Sequence, residues 1–431
     1  CILAKKYIQP NNQLGNNSIK SDNNSKSQKF HITGDFQNQI DQVASIINQA
    51  QKPIFYIGQG CNNASVSLTK MVLNSNIPIT TTIHAVGVFD ENHPLSMKFL
   101  GMHGSAAANY AIQQSDCIIA IGSRFDDRTT GNLQYYAPEA KKAASENRGG
   151  IIHVDIEPQQ INKVVEADYH FSCDSEIFIN CLSRKLISVP RNKWIQQCQQ
   201  WKQDYPFKYD ILPDNQLKTQ DVIKEINSQL YQLNLINNTI ITTGVGNHQM
   251  MAAQFIQWKQ PRSMITSGSL GVMGVDLPYA IGCQIANPQK LVLDIDGDGS
   301  FNHTLSDLKT AVEENLPVKI AIMNDGYQSM VRVWEELFYE NRITATKLKR
   351  NPDYTILAES FGMMSLKVES RQELASSIQQ FLTYPGPILC EFKVKTDNCF
   401  PLVAPGKALD DLILHQDMTK SFDLQNQLPP N

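Results

Sequence analysis

The chain has 431 residues, 42% of them hydrophobic and 19% charged, with a formal net charge of −4 and a pI near 6.2; that length holds about two to three domains, each with room for its own core. No Lys/Arg cluster is long enough to track a phosphate backbone, which excludes nucleic acid as a partner. No apolar run approaches the roughly 20 residues needed to cross a bilayer as a helix, so no membrane partner is expected, and small molecules remain.

The chain begins at Cys1 rather than Met, which predicts a processed product or a piece of a longer chain, with any targeting segment upstream. Its nine cysteines are scattered, odd in number and without CxxC or other zinc spacing, so buried thiols in a reducing compartment are expected. Residues 9–29, QPNNQLGNNSIKSDNNSKSQK, are almost wholly polar. They cannot bury enough apolar surface to fold alone and read as a linker.

Beyond the linker, apolar runs at 54–57, 77–83, 117–121 and 151–156 alternate with helical stretches such as 37–50. That alternation predicts an α/β domain over 30–185 with a doubly wound parallel sheet. A Trp/Gln-rich stretch, 194–209, reads as part of a connector over 186–217. A helix at 219–231 then leads into runs at 239–243, 264–266, 291–295, 318–323 and 388–394, predicting a second doubly wound parallel sheet over 218–400, with 401–431 as a tail. The glycines of this second half fall in three loops, at Gly244 and Gly246, at Gly268, Gly271 and Gly274, and at Gly297 and Gly299. Three such loops at one sheet edge make a phosphate pocket.

The most informative stretch is DGDGSFNHTLSDLKTAVEENLPVKIAIMND, 296–325. Its first strand ends at Gly297-Asp298-Gly299 and its second at Asn324-Asp325, so two oxygen ligands sit on strand ends beside glycines that let a phosphate approach the backbone. Such a pair suits a hard divalent cation holding a diphosphate, with magnesium the natural candidate. Between Gly299 and Asn324 lie 24 residues, and this spacing resembles the thiamine diphosphate (ThDP) signature, with Asn-Asp where that signature has an Asn pair.

Taken together, TTGVGNHQM at 242–250, TSGSLGVMGVDLP at 266–278, GDGSFNHTLSDL at 297–308, LGMHGSAAANYA at 100–111 and IGSRFDDRTTGN at 121–132 resemble the catalytic subunit of acetolactate (acetohydroxyacid) synthase, most of all its fungal form. The resemblance runs from about Cys1 to Leu414. GMHG with RFDDRxTG favours the synthase over pyruvate decarboxylase or pyruvate oxidase, and another FAD-binding ThDP enzyme, a pyruvate oxidase or glyoxylate carboligase, is an alternative reading. The family has an aminopyrimidine-binding domain, a FAD-binding middle domain and a diphosphate-binding domain; the first is expected to be absent here, with 1–29 its very end plus the linker. By the resemblance that domain carries the glutamate that protonates the aminopyrimidine, and no Glu precedes Glu91 in this sequence. The resemblance therefore implies that residues 1–431 alone make no acetolactate, and a truncated, non-catalytic paralogue is an alternative.

The resemblance also implies site residues. Asp298, Asp325 and the Tyr327 carbonyl would ligate magnesium. Val245, Gly246, Asn247 and His248 would line the diphosphate, His248 as a neutral donor, with Gly299 and Ser300 beside them. Gly271 and Met273 would hold the bent cofactor. Asp276 stands where the family has Gly, and a carboxylate there could desolvate badly. For FAD, the positions carried over in the first strands are Gly58, Gly60, Thr82, Ile83 and His84, with Gln59 and Ala85 replacing family glycines. Met102, His103, Gly104 and Gly122 follow, then Asp155 and Ile156. Arg124, Asp126, Asp127 and Arg128 would serve FAD and the second substrate, since arginine forks match phosphates and carboxylates. No full GxGxxG is present, so FAD would lie extended. Met330, Val331 and Trp334 would exclude water and shape the pocket for pyruvate or 2-ketobutyrate. The family further implies a dimer with the site at the subunit interface, and a regulatory small subunit near the insertion 138–150, where Lys141, Lys142 and Arg148 supply positive charge. It also implies a mitochondrial location if the fungal likeness holds, and a plastid or cytoplasmic one otherwise.

Overall fold

The computed structural model describes residues 34–417; the linker and the last part of the tail lie outside them. The first sheet has six strands: β1 Pro53–Ile57, β2 Ile79–Thr81, β3 Ser96–Phe99, β4 Cys117–Ile121, β5 Gly150–Asp155 and β6 Tyr169–Ser172. Their order is β3-β2-β1-β4-β5-β6, all parallel. The four apolar runs are its buried centre. The two strands with no counterpart in the apolar pattern, β3 and β6, are the edges, where the half-buried Lys98 and the exposed His170 break the apolar run. Helix Gly34–Gln49 covers one face by burying Phe36, Ile40, Val43, Ala44 and Ile47, one stripe at helical spacing.

The stretch read as a connector contains a packed helix, Asn192–Asp204, which buries Trp194, Cys198 and Trp201. Arg191, just before it, donates to the carbonyls of Ile47 and Ala50 at 2.7 and 2.8 Å, satisfying the open end of helix Gly34–Gln49. Trp194 Nε1 donates to Pro53 O at 3.0 Å. The indoles therefore anchor this segment on the first sheet. The polar Gln residues between them hid the 3.6-residue period.

The second sheet contains β7 Leu217–Lys218, β8 Thr239–Thr243, β9 Met264–Thr266, β10 Leu291–Gly297, β11 Lys319–Asn324, β12 Met364–Val368 and β13 Ile388–Lys395. It is parallel throughout, in the order β12-β13-β11-β10-β8-β9 with β7 on β13. The short β7 and the largely exposed β12 again lie at edges. A last hairpin, β14 Leu402–Val403 and β15 Leu412–Ile413, turns back onto the first domain, where Val403 N donates to Met102 O at 2.9 Å and Asn109 Nδ2 to Leu409 O at 3.1 Å. Strand order reverses between β1 and β4 in one sheet and between β8 and β10 in the other. Those are the points where open α/β sheets receive ligands, at the carboxyl ends of the strands.

Candidate functional site

Both switch points open onto one cavity of about 1580 Å³ between the domains, larger than the few hundred to about 1,000 Å³ of an ordinary small-molecule site. At the first, the loops after β1 and β4 touch backbone to backbone: a Cβ on Gly58 would lie 2.0 Å from Gly122 O, and one on Gly60 2.8 Å from Gly122 Cα. Side chains are excluded there, so a ligand can approach main-chain groups of both loops. Gly58, Gly60, Gly122, Thr82, Ile83 and His84 all line the cavity, as do Met102, His103, Asp155 and Ile156. Gly104 does not. Its amide donates to Gly101 O at 2.9 Å, and a Cβ would lie 2.5 Å from the Leu100 carbonyl carbon, so it serves the turn rather than the wall.

Arg124, Asp126, Asp127 and Arg128 also line the cavity. Arg128 pairs with Asp127 at 3.2 Å, while Arg124 Nη2 donates to Ser269 Oγ at 2.7 Å from the opposite domain. Ser269 Oγ lies 3.4 Å from His84 Nε2, whose imidazole is pushed below its usual range by burial and then by Arg124. Burial raises the Asp126 carboxyl. His103 is buried, its Nδ1 3.1 Å from Cys399 O, and burial pushes it down to about 4, so it is neutral.

The second domain contributes Val245 and Gly271 to the wall, with Met330, Val331 and Trp334 from helix Ser329–Phe338. Gly271, at φ 65°, would meet nothing nearer than Val245 Cγ1 at 3.8 Å, so this loop edge is open. Gly246, Asn247, His248, Met273, Gly299 and Ser300 lie behind that wall. Gly246 precedes helix Asn247–Phe255, whose first amides are free of intrahelical partners. The Asn247 side chain turns away, its Nδ2 donating to Asp397 O at 3.0 Å, which leaves the backbone amide for an anion. The His248 ring is buried with Nε2 3.2 Å from Asp296 Oδ1, and burial lowers it to about 4; it is neutral, as expected, but faces the protein. The Met273 methyl lies 3.7 Å from where a Cβ on Gly299 would be. Ser300 Oγ accepts from Gly274 N at 2.9 Å.

Asp298 and Asp325 form the candidate metal corner. Asp298 accepts from the amides of Gly299 and Gly326 at 3.0 and 2.9 Å and from Asn351 Nδ2 at 2.6 Å. Asp325 accepts from Tyr327 N at 3.0 Å and from the Ser329 hydroxyl. Burial, then the neighbouring Asp325 charge, raises Asp298 to about 7, and burial raises Asp325. A buried Asp298 whose charge is disfavoured by the half-buried Asp325 beside it suits a divalent cation. Among the described residues no group of three or more His, Cys, Asp or Glu side chains could hold a metal, so this pair depends on the Tyr327 carbonyl and the diphosphate to complete the shell. The antiparallel bridge of Tyr327 with Lys347 is made by the flanking Gly326 and Gln328 groups, which spares that carbonyl. Asn351, which no motif marked, holds both Asp298 and Asn324 Oδ1, the latter at 3.2 Å.

Asp276 is fully buried with Asp294 and Asp296, and one oxygen of each lacks a hydrogen-bond partner. Burial, then the Asp276 charge, raises Asp294 and Asp296 well above the carboxylate range. The desolvation foreseen for Asp276 is thus shared by three acids behind the diphosphate loop.

Residues 40–182 match the thiamine pyrophosphate enzyme central domain, and residues 244–392 the thiamine pyrophosphate enzyme C-terminal TPP binding domain. Over 380 residues the chain is 44% identical to the acetolactate synthase catalytic subunit, mitochondrial, of Saccharomyces cerevisiae, covering 87% of this chain and 55% of that protein. It is 42% identical over 388 residues to the mitochondrial acetolactate synthase of Schizosaccharomyces pombe, covering 88% of this chain and 58% of that one. With the acetolactate synthase large subunit of Corynebacterium glutamicum it shares 36% over 398 residues, 89% of this chain and 61% of that one. The chain thus spans little more than half the length of the curated relatives it matches.

Proposed function

We propose, on the premise that the chain belongs to the thiamine pyrophosphate enzyme family, that it is the FAD-binding and diphosphate-binding part of an acetolactate synthase catalytic chain. Its reaction is decarboxylation of pyruvate and ligation to a second pyruvate or to 2-ketobutyrate. The domains are 30–185 and 218–400, joined through 186–217. The observation that supports the reading is the single cavity of about 1580 Å³ lined by the glycine loops after β1 and β4 of the first sheet and by the loops after β8 and β9 of the second, with the diphosphate loop and the metal corner adjoining it rather than lining it.

Bound ThDP supplies the electron sink without which loss of carbon dioxide from a 2-keto acid leaves a charge nowhere to go. Asp298, Asp325 and the Tyr327 carbonyl would hold magnesium, and the amides after Gly246 would be available to the diphosphate. Gly58, Gly60 and Gly122 would let FAD approach the backbone, and Arg124 would be a partner for its phosphates. Met330, Val331 and Trp334 exclude water from the reacting centre. Arg128 is a carboxylate partner for the second substrate, given that Asp127 releases it.

Proton transfer to the aminopyrimidine falls to a glutamate of an aminopyrimidine-binding domain, in a partner subunit of a homodimer. His248 and Glu336 do not replace it: His248 faces Asp296, and Glu336 is paired with Arg332 at 2.6 Å. Residues 1–431 alone are therefore expected to bind FAD and ThDP weakly and to make no acetolactate. A mitochondrial location follows the names of the fungal relatives. A regulatory subunit is assigned to the segment of helix Pro138–Ser145, where Lys141, Lys142 and Arg148 are all exposed; Lys141 donates to Leu133 O at 3.2 Å and Arg148 pairs with Glu146.

Product analysis, with an aminopyrimidine-binding domain supplied on the same or a co-expressed chain, tests the reading. Acetolactate supports it. Acetate with peroxide, or tartronate semialdehyde, would assign a pyruvate oxidase or glyoxylate carboligase instead, and no product under any condition a non-catalytic paralogue.

A further inference from the structure

Asn351, which touches Asp298, is the last of three polar side chains that lead from strand β13 to the metal corner. The first, Glu391 on β13, is 1% exposed and paired with Lys393 Nζ at 2.8 Å. Its Oε1 also accepts from Nδ2 of Asn324, the last residue of β11, at 2.6 Å. Asn324 Oδ1 in turn accepts from Asn351 Nδ2 at 3.2 Å, and the same Nδ2 reaches Asp298 Oδ2 at 2.6 Å. Asn351 Oδ1 is occupied by Asn302 Nδ2 at 3.2 Å.

The relay has one polarity. A carboxylate can only accept, so Glu391 holds the Asn324 amide with Nδ2 toward itself and Oδ1 toward Asn351. Oδ1 can only accept as well, which requires Asn351 to present a donor at the corner where Asp298 sits. Without Glu391, Asn324 is free to turn Nδ2 toward Asn351, donor against donor, and the Asn351 amide loses the acceptor that steadies it. Asp298 has about four lone-pair positions, and donors from Gly299, Gly326 and Asn351 fill three of them. The last is left for a ligand arriving from one direction.

We propose that Glu391 is a positioning residue for the metal corner: through Asn324 and Asn351 it fixes the direction in which Asp298 offers its free lone pair to a divalent cation. Groups behind a metal ligand orient it and are worth about 10- to 100-fold in metal affinity. That Asp298 ligates magnesium rests on the reading above; the polarity of the relay does not.

The test titrates magnesium calorimetrically into the protein with excess ThDP and the aminopyrimidine-binding domain supplied, comparing the parent, Glu391→Leu, Glu391→Gln, Asn351→Leu and the double Leu variant. Glu391→Leu is expected to weaken magnesium binding about tenfold. Glu391→Gln keeps a carbonyl for Asn324 Nδ2 and is expected to stay within about twofold of the parent. The double variant is expected to match Asn351→Leu, because Glu391 acts through Asn351. FAD affinity, a property of the other domain, is expected to be unchanged in every variant. The Lys393 side chain is 41% exposed, so Glu391→Leu strands no buried cation. Should that variant not fold, Asn324→Asp tests the same link: it sets two carboxylates face to face and weakens magnesium binding, and adding Glu391→Gln, whose amide donates to the new carboxylate, restores it. Unchanged magnesium affinity in Glu391→Leu, a loss as large in Glu391→Gln, no restoration in the Asn324→Asp pair, or an equal loss of FAD affinity overturns the positioning role, as do effects that multiply in the double variant. If Asp298→Ala binds magnesium as tightly as the parent, the metal reading fails; if Asp298→Ala loses magnesium and Glu391→Leu does not, the relay alone fails.

Discussion

Arg124 Nη2 donates to Ser269 Oγ at 2.7 Å, tying the loop after β4 to the loop after β9 across the cavity. Arg124 is the cation assigned to the FAD phosphates, so Ser269 holds it only while no phosphate does. Arg124→Ala should weaken flavin binding by about 10- to 100-fold, since hydrogen bonds to charged groups are worth about 1.5–3 kcal/mol. Ser269→Ala should bind flavin at least as tightly as the parent. Flavin-fluorescence titration measures both, and a Ser269→Ala protein as impaired as Arg124→Ala would show that the serine, not the arginine, serves the ligand.

Asp298 and Asp325 should differ in what they tolerate. Asp298 accepts three hydrogen bonds from Gly299, Gly326 and Asn351, and Asp298→Ala removes the proposed metal ligand together with that framework. Asp325→Asn keeps an oxygen for Tyr327 N and the ion, and relieves the charge that raises Asp298. Calorimetric titration with ThDP in the presence and absence of magnesium should show that Asp298→Ala loses the magnesium-dependent part of the affinity and Asp325→Asn retains it. Equal affinity in Asp298→Ala and the parent would remove the metal assignment.

Glu91 carries a pH dependence unrelated to the cofactors. Its carboxyl is buried, and burial pushes it up to about 8, opposed by Lys98, the Trp258 backbone and Lys202 and reinforced by Asp90. The folded pKa lies above the unfolded one, so the folded protein binds the extra proton. The stability this contributes is complete below about pH 4.5 and is lost as pH rises through about 8. Glu91→Gln removes that slope. Between pH 6 and 9 the parent's Tm should fall by several degrees more than the variant's, at about 2–4 °C per kcal/mol in domains of this size. Parallel Tm curves would mean the carboxyl is solvated in the native protein.

The sequence displayed what depends on continuous apolar runs and on glycines. The central strands β4 and β10 fall on the runs 117–121 and 291–295, because a strand covered on both faces is largely apolar. Strands β6 and β12 carry exposed residues, β3 is broken by the half-buried Lys98 and β7 has only two residues, so none left such a run. The glycine loops were legible because Gly58, Gly60 and Gly122 permit an approach that any Cβ blocks. Contacts between distant side chains were not. Asn351 on Asp298, Ser269 on Arg124 and Glu335 on Thr346 join residues of common types whose spacing carries no period. Asp276 was visible as an oddity, but its union with Asp294 and Asp296 required the packing of helix Asp276–Ala286 beside β10.

Trp334 should set the choice of acceptor. Its indole meets Phe338 edge-on at 5.5 Å and lines the cavity with Met330 and Val331, so the wall is aromatic and braced from behind. One extra methylene against such a wall is worth about 1–3 kcal/mol, and 2-ketobutyrate exceeds pyruvate by that one group. Trp334→Leu leaves an apolar but shorter wall, and the preference for 2-ketobutyrate should fall at least about fivefold, while donor decarboxylation, which does not involve the second substrate, should change little. Competition between the two acceptors, with products separated and counted, reads the ratio directly. An unchanged ratio would place acceptor selection elsewhere on the cavity wall, and a ratio that changes only together with the rate of decarboxylation would mean that Trp334 shapes the cofactor pocket rather than the acceptor pocket.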